Sequence, residues 1–335
     1  MPDSLPLVTL YLSERCNSRC VTCDYWRHGV KDMTLASVRR LLPELAALRT
    51  RAVLLSGGEP LLNPEWREIA ELLKSRGLTL WLLTSGLSLV KHSRAAADLF
   101  DSITVSLDGT CADSYAAIRG LDAFDKVCEG IRAVAAAGRP AGLRVTLQRA
   151  NHRELVRFVT LARELGAASV SFLAVDVSNG HAFARFDESP PELALGDEDI
   201  PALDQSLERL EREHVADFRS GFIAESPAKL RRIRDYFAAL CGRREFPAVR
   251  CNAPEFSAVV RADGRVAPCF FIPGPTLAPR APDLGAALAS EPMQALREAI
   301  RSGRRPECER CVCSMWRDPA ALARETFTNR AAAHA

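Results

Sequence analysis

The chain has 335 residues, of which 47% are hydrophobic and 26% are charged, and these proportions are typical of globular proteins. The formal net charge of +2 gives no reason to expect a nucleic acid or an anionic membrane as a partner. No apolar run is long enough to cross a bilayer, and the N-terminus lacks the charged-then-apolar pattern of a signal peptide. We therefore expect a cytoplasmic protein.

The sequence contains 11 cysteines, which is many for a cytosolic protein of this size. Their odd number and the reducing compartment argue against a disulfide framework. Metal binding is the better explanation for so many thiols.

Short apolar runs alternate with amphipathic segments over the first two thirds of the chain. The predicted strands are Leu7–Leu12, Ala52–Ser56, Thr79–Thr84, Ser102–Leu107, Leu143–Gln148 and Ser169–Val175. The predicted helices are Leu35–Leu48, Glu65–Ser75, Ser93–Leu99, Phe124–Ala137 and Arg153–Leu165. Thr34 and Asn151 are predicted N-caps, and helices should end at Gly77, Gly138 and Gly166. Six strand–helix alternations predict parallel strands wrapped as an open or closed α/β barrel.

The last third of the chain has a different pattern. Residues Asp187–Pro201 are rich in Pro, Glu and Asp, which predicts a linker or loop. Two further helices are predicted over Ala202–Arg212 and Pro227–Leu240. Runs Phe256–Arg261 and Arg265–Phe270, joined by Ala-Asp-Gly, predict a β-hairpin, and a last helix is predicted over Leu284–Arg301.

Three cysteines stand where the first strand should end. Cys16, Cys20 and Cys23 form a Cys-x3-Cys-x2-Cys pattern. Three thiolates can hold three irons of a [4Fe–4S] cube and leave the fourth iron free for another ligand. The alternative is zinc, which normally needs a fourth protein ligand, and the nearest histidine is His28. Spacing alone leaves both metals open.

A second motif, Gly57-Gly58-Glu59-Pro60, follows the second strand. Two glycines let the backbone approach a ligand closely, and Glu59 offers a carboxylate to a ligand ammonium group. With the cysteine pattern, this motif resembles the radical S-adenosylmethionine (SAM) superfamily over about the first 175 residues. The resemblance implies a partial (β/α)6 barrel of the TIM type.

The resemblance also implies roles for individual residues. The free iron would be chelated by SAM, whose ammonium group would be held by Gly57, Gly58 and Glu59. Ser106 and Asp108 match a Ser-x-Asp pattern that meets the ribose. Ser85 departs from the Thr-Asn-Gly that often follows the third strand, and Thr22 departs from the aromatic residue that is common before the third cysteine. Adenine packing would then fall to Tyr25 or to the backbone near Leu173.

The implied chemistry begins when a reduced cluster passes one electron to SAM. Methionine and a 5′-deoxyadenosyl radical result, and the radical removes hydrogen from an unactivated carbon. An electron donor such as a flavodoxin or a ferredoxin is implied as a partner. A non-catalytic zinc or iron–sulfur protein is the less favoured class.

A second group of cysteines lies near the C-terminus. Four thiolates, from Cys251, Cys269, Cys308 and Cys311, suit a fully ligated [4Fe–4S] cluster or a zinc ion. The arrangement resembles the twitch domain, a shortened SPASM extension with one auxiliary [4Fe–4S] cluster. Cys313 is then a free thiol, an alternative ligand or a hydrogen-atom donor.

The implied domains are a radical SAM barrel over residues 1–186, a linker and helical segment over 187–250, and an auxiliary Fe–S domain over 251–335. The layout is similar to that of the aminocyclitol dehydrogenase of butirosin synthesis and of cytosylglucuronate decarboxylase. The chain begins a few residues before its first strand, which leaves no room for a leader-recognition domain.

We therefore expect a small substrate of sugar, aminocyclitol or nucleoside type, with oxidation or decarboxylation as the outcome, in natural-product biosynthesis. The alternatives are a ribosomal-peptide maturase and an epimerase with a cysteine hydrogen donor. After the sixth strand, His181 is a candidate acid or base, and Arg185 a candidate for binding a substrate carboxylate. A polar loop without a catalytic role is the alternative for that segment.

Overall fold

The structure is a computed structural model that describes residues 4–180, 182–185, 190–275 and 283–318. One sheet with the strand order β6-β5-β4-β3-β2-β1-β7-β8 organises this part of the chain. Its strands are β1 (Leu7–Ser13), β2 (Ala52–Gly57), β3 (Thr79–Thr84), β4 (Ser102–Ser106), β5 (Gly142–Leu147), β6 (Ser169–Ala174), β7 (Ser257–Val260) and β8 (Val266–Ala267). The first six are parallel. The predicted α/β class with a partial barrel is confirmed.

The parallel strands form because they are apolar runs that can be buried on both faces. All seven residues of β1 are buried, and β1 pairs with β2 in the register Leu7↔Ala52. Strands β4 and β5 instead alternate between buried and half-buried residues. Their buried residues pack against the helices, whereas Ser106 and Arg144 face a cavity inside the barrel.

Helices cover the outer face of the sheet. In the barrel they are α1 (Tyr25–His28), α2 (Leu35–Ala47), α3 (Trp66–Lys74), α4 (Leu89–Leu99), α5 (Ala112–Arg119), α6 (Phe124–Ala136) and α7 (Leu155–Glu164). Beyond the barrel they are α8 (Ile200–Glu213), α9 (Val215–Ser220), α10 (Pro227–Leu240), α11 (Ala253–Phe256), α12 (Leu284–Ala289), α13 (Glu291–Arg301) and α14 (Pro306–Glu309). Across the described ranges, none of these helices combines the length and the apolar character of a membrane span.

The observed ends of the helices agree in part with the predicted caps. The Thr34 side chain accepts a hydrogen bond from Ser37 N, which confirms it as the N-cap of α2. Gly77, Gly138 and Gly166 follow helices with positive φ, as predicted.

Two predictions about helices were wrong or incomplete, and several helices were not predicted. Asn151 is not an N-cap, because its amide accepts from Gln148 N and donates to Asp108 O, while α7 begins at Leu155. The helices α1, α5, α9, α11 and α14 were not predicted. The predicted helix Leu284–Arg301 is two helices, because Ser290 is extended and caps the second one.

The predicted hairpin is confirmed by the antiparallel pairing of β7 with β8, with Val260 opposite Val266. Strand β7 also pairs in parallel with β1, from Leu7↔Ser257 to Leu10↔Val260. The hairpin therefore extends the barrel sheet. The proposed domain boundaries stay a prediction.

Candidate functional site

A cavity of about 220 Å³ lies at the carboxyl ends of the parallel strands. In α/β barrels this is the edge where loops from successive strands converge. The predicted site residues that line it are Cys16, Cys20, Cys23, Gly57, Gly58, Ser85, Ser106, Asp108 and Cys313. The structure therefore brings most of the predicted SAM-binding residues to one place.

Hydrogen bonds between backbone groups hold the cysteine loop against two neighbouring elements. Arg19 N donates to Arg119 O and Val21 N donates to Ile118 O, both at 3.0 Å, so the loop is tied to the end of α5 on either side of Cys20. On the other flank, Gly58 N donates to Ser13 O at 2.7 Å.

The glycines after β2 are required by that close packing. A Cβ on Gly57, which has φ +126°, would lie 2.4 Å from Ser13 O. A Cβ on Gly58 would lie 2.4 Å from Arg15 O. Both residues also line the cavity, so their backbone is exposed to a ligand as well as to the cysteine loop.

Glu59 is fully buried behind the cavity wall rather than in it. Its carboxylate accepts hydrogen bonds from Ser85 N at 2.7 Å, from Thr84 Oγ1 at 2.8 Å and from Leu61 N at 3.1 Å. Burial raises the pKa of Glu59, while these hydrogen bonds oppose the shift. The contact of Glu59 with the SAM ammonium group stays a prediction.

Asp108 and Arg119 form a buried ion pair at the end of β4. The two side chains are 3.5 Å apart, between Arg119 Nη1 and Asp108 Oδ2. Asp108 Oδ1 also accepts from Thr146 N at 2.7 Å. Burial raises the pKa of Asp108, and the nearby guanidinium of Arg119 lowers it in part.

The thiols of the cysteine loop lie close together in a buried environment. Burial raises the pKa of Cys16 to about 11 and also raises the pKa of Cys23, and Cys20 adds to both shifts. Among the described residues, no three His, Cys, Asp or Glu side chains converge as ligands of one metal ion. A [4Fe–4S] cube makes a different demand, because each cysteine binds a different iron. Three thiols around one cavity meet that demand.

One of the C-terminal cysteines, Cys313, lines this cavity, and the other four do not. Burial raises the pKa of Cys269 to about 12, and Cys251 and Cys308 add to the shift, which indicates that these thiols are neighbours. Burial likewise raises the pKa of Cys311, with contributions first from Cys313 and then from Cys251 and Cys269. Cys313 lies near Cys311 and also lines the cavity with the first three cysteines.

Other predicted residues lie away from the cavity. Tyr25 packs edge-on against Tyr11, with 5.9 Å between the ring centroids. Arg185 is buried in its own loop, where Nη1 donates to Asp176 O at 2.6 Å and Nε donates to Ala182 O at 3.3 Å. Its role in binding a substrate stays a prediction. His181 lies outside the described residues.

The sequence did not reveal two arginines that line the cavity. Arg119 ends the unpredicted helix α5, and Arg144 is on β5, where it pairs in register with Ser106. The local sequence could not indicate that these two side chains line a cavity, because an arginine is most often exposed.

Residues 10–162 match the family model of the Radical SAM superfamily. The match runs from β1 into α7 and includes the cysteine loop and the Gly57–Gly58 turn. This part of the chain is therefore similar to the domains of the Radical SAM superfamily.

Curated relatives are similar to about half of the chain at moderate identity. An AdoMet-dependent heme synthase of Methanosarcina barkeri is 30% identical over 181 residues, which cover 50% of this chain and 50% of the relative. The mycofactocin maturase MftC of Mycobacterium tuberculosis is 30% identical over 172 residues, which cover 49% of this chain and 44% of the relative. The chain spans about half the length of these curated relatives.

Solved structures share the fold. A structure of anSMEcpe with bound AdoMet has a TM-score of 0.66 at 16% identity and covers 92% of this chain and 85% of that one. A structure of BtrN in complex with AdoMet and 2-DOIA has a TM-score of 0.50 at 14% identity and covers 93% of each chain.

Proposed function

We propose that the protein is a radical SAM enzyme whose [4Fe–4S] cluster is bound by Cys16, Cys20 and Cys23. The observation that carries this proposal is that the three thiols share one cavity with the Gly57–Gly58 turn and Asp108. When bound there, SAM and a reduced cluster supply a 5′-deoxyadenosyl radical that removes hydrogen from an unactivated carbon.

The chain's own residues would hold and orient the bound SAM. Gly57 and Gly58 offer their backbone at the cavity wall, and Ser106 and Asp108 offer polar groups to the ribose. Glu59 supports this wall, because it fixes the backbone of Ser85 from behind. Such preorganisation matters because the radical must form close to the substrate carbon.

We also propose an auxiliary [4Fe–4S] cluster on Cys251, Cys269, Cys308 and Cys311. The mutual electrostatic influence of these thiols supports it. Four cysteine ligands leave no iron open, so the role of this cluster would be electron transfer. A flavodoxin or ferredoxin would deliver the first electron.

The substrate that we propose is a small molecule of sugar, aminocyclitol or nucleoside type, oxidised or decarboxylated. Phe270, Phe271 and Cys313 from the C-terminal segment line the same small cavity, which favours a compact substrate over a polypeptide. The fold likeness to BtrN along 93% of both chains agrees with this choice. The competing proposal is a peptide maturase, which the similarity to MftC favours.

The decisive experiment is anaerobic reconstitution with iron and sulfide, followed by incubation with SAM and dithionite. We expect 5′-deoxyadenosine and methionine from the wild type and none from Cys16→Ala. Cys111→Ala is the matched control, because Cys111 is exposed and lies outside the cavity. A fully loaded wild type that leaves SAM intact contradicts the proposal. Stimulation of cleavage by aminocyclitols or by precursor peptides distinguishes the two substrate classes.

A further inference from the structure

We propose that Arg119 sets the reduction potential of the cluster on Cys16, Cys20 and Cys23 by holding a buried positive charge against the Cys20 sulfur. This inference rests on the proposed function, because it requires a cluster on those thiols. Arg119 would be a positioning residue that acts through Cys20.

The guanidinium of Arg119 is held by three groups. Nη1 donates to Cys20 Sγ at 3.2 Å and lies 3.5 Å from Asp108 Oδ2. Nη2 donates to Ser106 O at 2.9 Å. The planar, forked guanidinium allows these contacts at once, whereas a lysine ammonium group would be a single point charge.

The backbone fixes the distance between Arg119 and Cys20. The two hydrogen bonds from Arg19 N and Val21 N to the end of α5 flank Cys20 on both sides. Gly120, with φ +69°, makes this approach possible, because a Cβ there would lie 2.3 Å from Arg19 O. These backbone contacts bring α5 close to Cys20, and the contacts to Ser106 O and Asp108 hold the guanidinium there.

Burial makes this charge effective. Only 10% of the Arg119 side chain is exposed, so water and salt screen it weakly. A reduced cluster carries one more negative charge than the oxidised cluster, and a neighbouring cation stabilises the reduced form. Hydrogen bonds to cluster sulfurs and local net charge are known determinants of cluster potentials.

Asp108 acts in the opposite direction. Its carboxylate neutralises part of the Arg119 charge from the side of β4. Removing the arginine charge should make the cluster harder to reduce, and removing the aspartate charge should make it easier to reduce.

The test is a redox titration of the reconstituted full-length protein without SAM, followed by electron paramagnetic resonance. The signal of this cluster is identified in the wild type by its change on addition of SAM. The variants are Arg119→Met, Arg119→Lys and Asp108→Asn. The matched control is Arg19→Met, which removes the same charge next to Cys20 in sequence but from an exposed side chain.

We expect Arg119→Met to lower the equilibrium constant for reduction about tenfold, which is a shift of about 59 mV to more negative potential. Arg119→Lys should shift the reduction potential by less in the same direction. Asp108→Asn should shift the reduction potential to a more positive value, and Arg19→Met should leave it unchanged.

Two results would overturn the inference. The first is a wild-type potential in Arg119→Met with full iron content. The second, which applies if that variant loses its cluster, is an unchanged potential in both Arg119→Lys and Asp108→Asn. Failure of the proposed function looks different, because then the wild type itself shows no cluster signal that responds to SAM.

Discussion

The hydroxyl oxygen of Thr84 lies 2.8 and 3.0 Å from the two carboxylate oxygens of Glu59. The same carboxylate accepts from the backbone of Ser85 and Leu61. Glu59 thus joins the end of β3 to the turn that follows β2, and both contribute residues to the cavity wall. Glu59, whose carboxylate is predicted to contact SAM, therefore also stabilises the structure of the cavity wall.

We predict that Glu59→Ala lowers the free energy of unfolding by about 3 kcal/mol, because buried donors lose their acceptor. Urea denaturation measures this change. Thr84→Val removes one donor but keeps the carboxylate, so its loss should be smaller. Unchanged stability in Glu59→Ala would mean that these hydrogen bonds are not needed by the fold.

Glu59→Ala should also weaken SAM binding without removing either cluster. A lost charge-assisted hydrogen bond corresponds to about 1.5–3 kcal/mol. Equilibrium binding of SAM to the reconstituted protein, with iron analysis alongside, checks this. If Thr84→Val weakens binding as strongly as Glu59→Ala, the carboxylate acts by support rather than by direct contact.

The iron content should be about eight per chain, from two [4Fe–4S] clusters. Replacing Cys16, Cys20 and Cys23 together by alanine should leave about four irons and abolish SAM cleavage. Cys111→Ala should retain both clusters. A carefully reconstituted wild type with a single cluster would contradict the two-cluster proposal.

The parallel strands could be predicted closely from the sequence because β1 and β2 are nearly continuous apolar runs, and β4 and β5 alternate with the period of a strand. The predicted bounds of β3, Thr79–Thr84, are those observed. Helix α5 was missed because its eight residues give weak periodicity, with only Tyr115, Ile118 and Arg119 buried. The N-cap assigned to Asn151 failed because a tertiary partner, the backbone of Asp108, uses its amide.

The cysteine and glycine motifs could be identified from the sequence, because their residues follow one another at a characteristic spacing. Residues that only tertiary packing brings to the cavity could not be identified in this way. The sequence could not show that the guanidinium of Arg185, a candidate for binding a substrate carboxylate, donates to the backbone of Asp176. Arg119 and Arg144 reach the cavity only because α5 and β5 bring them there.

Cys111 should be the first thiol to be alkylated in the protein without clusters. The hydroxyl of Ser114, followed by its backbone, lowers the pKa of Cys111, and the thiol is exposed. A lower pKa increases the thiolate fraction at neutral pH, and thiolate is the reactive form. Iodoacetamide labelling followed by mass spectrometry tests this.

Cys128 provides the comparison, because burial raises its pKa to about 11. Ser114→Ala should slow the labelling of Cys111 and leave that of Cys128 unchanged. Faster labelling of Cys128 than of Cys111 would show the prediction to be wrong.

Asp108→Ala should weaken SAM binding by about 1.5–3 kcal/mol while both clusters remain. Asp108→Asn is the matched variant, because it keeps an oxygen that can accept from Thr146 N. The ratio of the two affinities measures what the charge contributes. Unchanged affinity in Asp108→Ala would place the ribose contact elsewhere.

Cys313 lines the same cavity as the first three cysteines, so a substrate radical formed there has two possible fates. An isotope experiment distinguishes them. If the auxiliary cluster accepts an electron from the radical, the substrate is oxidised and SAM is consumed. If Cys313 returns a hydrogen atom, the outcome is redox-neutral, such as epimerisation. We expect electron transfer, because the proposed cluster would have four cysteine ligands and no iron open to a substrate. Turnover of an identified substrate in deuterated water distinguishes the two, because a thiol exchanges its hydrogen with solvent. We expect an oxidised product without solvent deuterium, and the same product from Cys313→Ala. Deuterium at the abstracted carbon, lost in Cys313→Ala, would instead assign the hydrogen transfer to Cys313.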